Sequence, residues 1–475
     1  MKRMIRRDGA PAAQTALAGA MLLASLGTSM ASVALPTLSR AFSAPVSNVQ
    51  WVVLAYLITG TVVIVSAGRL GDRLGHRRVM IAGLALFAVA SILCAAAPTL
   101  GTLIAARAVQ GIGGAILMAL PISIVRETVA KERVGSAMGL LGTMSAIGTA
   151  LGPSLGGLLL AGFGWRSAFV LLSGLSVLVL GLALRAIPAT PPGRRRTDGT
   201  TDWPGLALLA VALTAYALAT AGGRVSLAWS SDLHLPVAIA ALALFIMVEA
   251  RSASPLVPVS ILRDRVFGVS LTMNLLVSTA MMSTLVVGPF FLAFGLRLNE
   301  ALVGLVMAVG PVTAALAGVP AGRFADRFGA PRVLLAGLLQ MSVGLACLAF
   351  LPRVFGAAGY VAALILLTPG FQLFLAANNT VVMLASREEQ RGMLSGLLGL
   401  SRNLGFMTGA SAMATLFAVV AGNGSIAEVP AHRIGDAFAT TFLVAAGLTM
   451  LALVLACLGR PSRAPEPRSE SSPCG

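Results

Sequence analysis

Charged residues are scarce in this chain of 475 residues: Asp, Glu, Lys and Arg make up 11% of it, against about a quarter of an ordinary soluble domain. Aromatic residues are also few, at 5%, whereas hydrophobic residues reach 57% and the mean hydropathy is +0.91. A composition this apolar excludes an ordinary soluble domain. It indicates a protein that crosses the lipid bilayer many times and has lipid as a constant partner.

Lysine and histidine are nearly absent. The two lysines lie outside any GxxxxGK[ST] phosphate-binding loop, which excludes an ATP-driven pump. The three histidines are dispersed and form no catalytic or metal-binding cluster, so we expect no enzyme activity, no metal and no cofactor. The four cysteines lie far apart, and we interpret them as small hydrophobic residues.

Arginine supplies almost all of the positive charge, and the formal net charge is +17. In a soluble protein this excess would suggest nucleic acid as a partner. Here the arginines are scattered between apolar runs instead of being gathered on one face. We therefore expect them to set membrane topology, and we expect no nucleic-acid partner.

Apolar runs of about twenty residues, long enough to cross a bilayer, occur fourteen times. The basic start MKRMIRR could belong to a signal peptide, but the following charge-free run spans a bilayer unaided, so we predict an uncleaved first helix. The predicted fold class is an all-α polytopic membrane protein with fourteen transmembrane helices. They lie near 14–36, 51–69, 79–98, 102–125, 135–160, 167–187, 204–222, 234–249, 267–292, 301–321, 333–351, 357–381, 392–420 and 437–458.

The basic residues separate by side when these helices are drawn across a membrane. With the N-terminus in the cytoplasm, 26 of the 34 fall on the inner side and 6 on the outer side, and Arg107 and Arg402 lie within helices. Positively charged loops favour the cytoplasmic face. We therefore predict a multi-pass protein of a bacterial-type cytoplasmic (inner) membrane with both termini in the cytoplasm.

Two segments of the chain repeat. GRLGDRLGHRR at 68–78 returns as GRFADRFGAPR at 322–332, and GLLGTMSAIGTALG at 139–152 returns as GLLGLSRNLGFMTG at 396–409. Both copies keep their side of the membrane, which predicts two six-helix halves of the same orientation, related by an axis along the membrane normal. The predicted divisions are a cytoplasmic tail 1–13, an N-terminal bundle 14–188, a cytoplasmic linker 189–202, two inserted helices 203–250, a C-terminal bundle 266–459 and a disordered tail 460–475.

This pattern resembles the major facilitator superfamily, and the fourteen spans resemble its drug:proton antiporter group. LIAARAVQGIGGA at 103–115 is similar to the fourth-helix motif of that superfamily, and GTALGPSLGG at 148–157 to the fifth-helix motif associated with exporters. WVVLAYL at 51–57 and the pair Trp165 and Arg166 are also typical of the group. The resemblance implies secondary transport by alternating access.

The repeated basic loop is the first candidate site. The resemblance implies that it holds the cytoplasmic gate closed, with Asp72 accepting hydrogen bonds from arginines or from a helix N-terminus while Gly68 and Gly75 let helices approach closely. A positive-inside signal alone would explain the arginines but neither Asp72 nor its copy Asp326. The predicted gating residues are Gly68, Asp72, Arg73, Gly75, Arg77, Arg78, Gly322, Asp326, Arg327 and Gly329.

The fifth-helix motif is the second candidate site. Its four-residue spacing leaves one helix face nearly free of side chains, which favours close helix packing. Either a plain tight contact or a moving interface fits this pattern, and the resemblance associates the motif with the contact between halves. Its predicted residues are Gly148, Gly152, Pro153 and Gly156.

Ionisable side chains within spans are costly, at about 2.5–3.5 kcal/mol or more, and therefore suggest function. Arg107 could instead extend to the outer surface, and Arg402 could bridge the halves or contact substrate. The antiporters usually carry LDxTIVNVALP in helix 1, but this chain has LGTSMASVALP at 26–36, with Gly27 in place of the aspartate. All acidic residues lie in loops, at helix ends or in the tails, so proton coupling and a preference for cations are in doubt.

The predicted substrate cavity gathers the polar residues of the spans, any of which could instead bond one helix to another. They are Thr28, Ser29, Ser32, Arg107, Gln110, Asn274, Gln372, Asn378, Asn379 and Arg402.

Three functions fit the sequence. The resemblance favours an exporter of drugs or other small amphipathic compounds driven by proton motive force, with antibiotic resistance as its consequence. The two arginines and the missing carboxylate favour a transporter of a neutral or anionic metabolite. A sensor or scaffold that has lost transport is the third reading, disfavoured because both basic loops retain their aspartates.

Overall fold

Fourteen helices cross the bundle in the part of the chain that the structure describes. A computed structural model describes residues 9–129, 134–187, 203–221, 234–251, 264–386, 391–422 and 426–458, and contains no strand within them. Helices suit a chain this apolar because each one satisfies its own backbone hydrogen bonds inside lipid. The predicted linker 189–202 and the tail 460–475 lie outside the described residues.

The N-terminal half and the insert hold eight helices: α1 Gly9–Ala41, α2 Trp51–Leu74, α3 His76–Ala96, α4 Leu100–Thr128, α5 Val134–Phe163, α6 Trp165–Ala186, α7 Trp203–Ala221 and α8 His234–Arg251. The C-terminal half holds six: α9 Arg265–Phe290, α10 Glu300–Phe328, α11 330–355, α12 357–385, α13 Arg391–Thr408 and α14 Ala431–Leu458. Helix α9 continues as the π-helical turn Phe291–Gly295, and α13 continues through the π-helical turn Gly409–Met413 into Ala414–Ala421.

The predicted count of fourteen is confirmed. Eleven described helices are long and apolar enough to cross a membrane, and one of them, Ala330–Ala385, is two spans joined at Gly356, whose φ of 55° is not helical. Two shorter apolar helices, Ala207–Thr220 and Pro236–Val248, complete the set. Helix α1 begins at Gly9, five residues before the predicted start, so the expected tail 1–13 is partly helical.

Alternate helix ends define the two ends of the bundle. One holds the α2–α3 and α10–α11 turns and is called the Asp72 end; the other holds the end of α1 and the start of α10 and is called the Arg40 end. Gly75 and Gly329 form the two turns of the Asp72 end with φ of 96° and 85°. A side chain is strained at such angles, so glycine suits both turns, and the close helix approach predicted at Gly75 stays a prediction.

Internal packing repeats between the halves. In the N-terminal half, Gly148 and Gly152 of α5 lie against α1. In the C-terminal half, Gly405 and Gly409 of α13 lie against α9 in the corresponding way. Added Cβ atoms at these four glycines would collide with backbone or Cβ atoms of the neighbouring helix, so the predicted repeat is one of helix packing as well as of sequence.

Helices α5 and α10 form the main contact between the halves. At the Arg40 end they touch backbone to backbone, because a Cβ on Gly157 would lie 2.7 Å from the Cα of Gly304. Toward the Asp72 end they diverge, since a Cβ on Gly142 or Gly318 would meet no atom within 4 Å. The halves are therefore closed together at the Arg40 end and parted toward the Asp72 end.

The inserted helices α7 and α8 pack on each other, and α7 also contacts α2 and α13. Tyr216 of α7 shares a hydrogen bond of 2.9 Å with Thr408. Thr220 donates one of 2.7 Å to Ser411 in the π-helical turn of α13. The insert is therefore attached to a helix of the C-terminal half beside its irregular turn.

Candidate functional site

A cavity of about 460 Å³ lies between the halves where α5 and α10 diverge. Small residues of these two helices leave the space: Gly142, Thr143, Ala146, Gly310, Ala314, Ala315 and Gly318 all line it. The remaining walls come from α9, α12 and α13. They consist of Met281, Thr284, Leu285, Tyr360, Leu364, Thr368, Phe371, Gln372 and Phe406.

The described lining of this cavity has no acidic or basic side chain. Its polar groups are hydroxyls and one carboxamide. The hydroxyl of Thr284 donates a hydrogen bond of 2.7 Å to the carbonyl of Met281. The hydroxyl of Tyr360 donates one of 3.5 Å to the sulfur of Met307, a weak acceptor. Apolar walls with a few neutral polar groups suit a small amphipathic ligand.

Arg107 lies at the centre of a buried polar cluster in the N-terminal half and is fully buried, so it does not extend to the outer surface. Its Nε donates a hydrogen bond of 2.9 Å to the carbonyl of Val52. Its Nη1 donates one of 3.0 Å to the carbonyl of Gly27 and another to the side-chain oxygen of Gln110. Its Cζ lies 4.4 Å from the ring centroid of Tyr56, a cation–π distance. The cluster binds α1, α2 and α4 together.

Gln110 carries the same network to α3. Its amide nitrogen donates a hydrogen bond of 2.7 Å to the hydroxyl of Ser91, and that hydroxyl donates one of 2.7 Å to the carbonyl of Phe87. Both predicted residues of α4 are therefore engaged inside the N-terminal half, away from the lining of the cavity.

Arg402 lies on α13 with an exposed side chain. It precedes the cavity-lining Phe406 by one helical turn on the same face, roughly 6 Å nearer the Asp72 end. Arg402 is not one of the residues that line the cavity.

The other predicted cavity residues divide in two. Gln372 lines the cavity. Ser29 donates hydrogen bonds to a carbonyl of its own helix α1 and to that of Gly148. Asn274 donates one of 2.8 Å to the carbonyl of Leu398, and Asn378 donates one of 3.4 Å to the carbonyl of Ser270. These bonds join helices, the alternative that the sequence left open.

Thr28 and Ser32 bond carbonyls one turn back in α1. Asn379 is exposed, next to the buried Asn378. A substrate role for any of these side chains stays a prediction.

The predicted gating residues lie at the parted end. Asp72 is exposed and contacts the buried His76, with 3.4 Å between Oδ1 and Nε2. Arg77 donates hydrogen bonds of 2.8 and 2.7 Å to the carbonyls of Leu184 and Ile187 at the end of α6. These bonds join α3 to α6 within one half.

The second copy of the loop is also exposed. Asp326 and Arg327 are both open to solvent, and the guanidinium of Arg327 lies 5.5 Å from the ring of Phe328. A Cβ on Gly68 or Gly322 would meet nothing within 4 Å, so these two glycines have no close neighbour in this conformation. The latch remains a prediction about the conformation in which the Asp72 end is closed.

The glycine motif faces two ways. Gly148, Gly152 and Gly156 point at α1 of their own half, as four-residue spacing requires. The carbonyl of Pro153 and the Cα of Gly157 meet Gly304 of the other half. Gly157, absent from the predicted set, is the glycine at the interface.

The Arg40 end carries a contact that sequence reasoning missed. Nη1 of Arg40 lies 3.1 Å from Oε1 of Glu300, and its Cζ lies 4.6 Å from the ring centroid of Phe294. The pair joins the end of α1 to the start of α10. No motif marks either residue, and only the neighbouring Gly157 lies in a motif that the sequence offered.

Two helical halves around a central cavity are the architecture of a membrane transport protein. The family model described as Major Facilitator Superfamily matches residues 17–297 and 270–473. The chain belongs to the major facilitator superfamily, as the resemblance predicted.

Three known proteins illustrate the range of similarity. The chain is 32% identical to multidrug resistance protein Stp of Mycobacterium tuberculosis, over 81% of this chain and 72% of that one. It is 28% identical to riboflavin transporter RibZ of Clostridioides difficile, over 84% of this chain and 86% of that protein. The crystal structure of a mutant of nucleoside transporter NupG matches with a TM-score of 0.69 at 14% identity, over 94% of this chain and 99% of that one, and supports the fold.

Proposed function

We propose that this transporter exports small amphipathic compounds from the cytoplasm by alternating access, driven by proton motive force. The observation that carries the proposal is the apolar cavity between the halves, closed at the Arg40 end and open toward the Asp72 end. Its size falls within the range of pockets that hold drug-sized ligands. Similarity to the multidrug resistance protein Stp supports the export of drugs.

A second candidate is the transport of a neutral or anionic compound without a helix 1 carboxylate. The lack of acidic residues in the described lining favours it, since a cation in this cavity would have no counter-charge, and Arg402, one turn before the lining residue Phe406, adds a positive charge nearby. Similarity to the riboflavin transporter RibZ supports an uncharged aromatic substrate.

Inverted membrane vesicles separate the candidates. We expect uptake of amphipathic dyes to stop when nigericin collapses the pH gradient. Uptake of anionic dyes that depends only on the valinomycin-sensitive voltage, or uptake of neutral dyes that continues after nigericin, would favour the second candidate. Ala314→Phe, which fills the cavity, should abolish uptake, whereas Ala161→Phe on the exposed surface of α5 should not. Equal uptake by both variants, or no uptake of any dye, would contradict the proposed function.

A further inference from the structure

We propose that Thr368 is the hydrogen-bond donor of the substrate site, and that the site takes uncharged aromatic ligands carrying a carbonyl or ring-nitrogen acceptor. The inference rests on the proposed function because it assigns chemistry to the same cavity. Thr368 lines that cavity from the middle of α12.

The hydroxyl of Thr368 is buried without a partner. The side chain is 2% exposed, and its Oγ1 bonds no atom of the residues that the structure describes. Threonines within helices usually bond a carbonyl one turn back, as Thr313, Thr380 and Thr441 do here. A buried hydroxyl is normally paired, so an unpaired one beside a cavity indicates a partner that arrives with the ligand.

Gly310 of the neighbouring helix α10 faces this hydroxyl. A Cβ on Gly310 would lie 3.9 Å from Oγ1 of Thr368 and 3.9 Å from Cδ1 of Leu364. All three residues line the cavity. The Thr368 oxygen exposes less than 1 Å² of surface in this conformation, so a ligand acceptor reaches it only when the side chain or α10 moves, and a glycine at 310 leaves the most room for that movement.

The surrounding groups define the ligand. Phe371 and Phe406 offer aromatic surface, and the absence of acidic or basic residues from the described lining disfavours a charged group inside the cavity. Because Oγ1 donates to no protein oxygen among the described residues, its proton is available, and the matching ligand group is an acceptor. Gln372 adds a carboxamide one turn further along α12.

The test uses prodan, an uncharged naphthalene with one ketone whose emission moves to longer wavelength when that ketone accepts a hydrogen bond. Binding to the full chain is measured in lipid nanodiscs, with the spectrum of protein-free discs subtracted. Thr368→Val should weaken binding about three- to tenfold and remove the red shift, as loss of one hydrogen bond predicts. Thr368→Ser should retain both.

Matched variants separate the hydrogen bond from general effects. Gly310→Ala adds one methyl at ordinary contact distance and should also remove the red shift, whereas Gly318→Ala, on the same wall with open space around it, should not. Thr441→Val removes a buried hydroxyl outside the cavity and should bind prodan as the unchanged chain does. A red shift that survives in Thr368→Val would overturn the inference, whatever Gly310→Ala does.

The cavity-filling variant distinguishes this failure from failure of the proposed function. If Ala314→Phe abolishes prodan binding while Thr368→Val leaves affinity and emission unchanged, the inference on Thr368 is wrong and the cavity remains the binding site. If Ala314→Phe also leaves binding unchanged, the cavity is not the binding site, and the inference and the proposed function both fail.

Discussion

The contact of Gly157 with Gly304 predicts that one methyl group should open the Arg40 end. A Cβ on Gly157 would lie 2.6 Å from the carbonyl oxygen of Glu300 and 2.7 Å from the Cα of Gly304. Ordinary contacts of this kind exceed 3.4 Å, so the helices must part by nearly 1 Å. Both opposing atoms belong to the backbone of α10 and cannot turn aside as a side chain could.

The magnitude follows from the cost of overpacking. Inserting a methyl into a closely packed contact costs about 1–3 kcal/mol. That cost falls on the conformation closed at the Arg40 end, so Gly157→Ala should shift the population about five- to 150-fold toward conformations open there. Transport, which requires both conformations, should slow accordingly.

Distances between spin labels report this shift. Labels at Phe163→Cys and Val354→Cys, both exposed at the Arg40 end on opposite halves, are introduced after the four native cysteines are replaced by serine. Gly157→Ala should add a longer distance population. Gly162→Ala, in the same helix with no atom within 4 Å, is the matched control and should not. Unchanged distances in Gly157→Ala would refute the reasoning that this contact closes the Arg40 end.

Three further predictions concern charged residues. Arg40→Glu should shift the free-energy difference between the closed and open conformations of the same end by less than about 1 kcal/mol, because the ion pair of Arg40 with Glu300 is partly exposed. Adding Glu300→Arg should restore the label distances. Arg353→Glu, which breaks an ion pair inside one half, is the control and should leave those distances unchanged. Asp72→Asn should lower vesicle uptake while immunoblots show equal insertion; unchanged uptake would count against a latch. Arg402→Gln should reduce uptake of anionic dyes more than that of uncharged ones, and equal losses would contradict a guanidinium that acts on substrate charge.

The number and course of the helices could be predicted because each span needs about twenty apolar residues and charged turns separate them. The break at Gly356 lies between the two spans expected there. The helix faces could not be predicted in the same way. In a membrane protein the lipid-facing and the core-facing surfaces are both apolar, so composition does not tell which side of α5 meets α1 and which meets α10.

The candidate site shows the same limit residue by residue. Ser29 and Asn274 were predicted in the cavity because they are polar, but both bond backbone carbonyls of neighbouring helices. Thr368 was not singled out, because a threonine in a helix usually satisfies itself. Its role as a donor depends on its bonding no carbonyl of its own helix and on a glycine in a different helix, Gly310, facing it. Such a juxtaposition is decided by tertiary packing.

Packing around Gly27 also bears on proton coupling. At this position the resembling antiporters carry an aspartate, but here a Cβ would lie 2.9 Å from the ring of Phe87, which fills the space. Arg107 donates instead to the backbone carbonyl of Gly27. A backbone carbonyl does not take up a proton at physiological pH, so this contact cannot be made and broken by protonation as a carboxylate contact can. The buried cluster therefore fits a fixed support for α1, α2 and α4, and Gly27 supplies it with no group that could carry a proton.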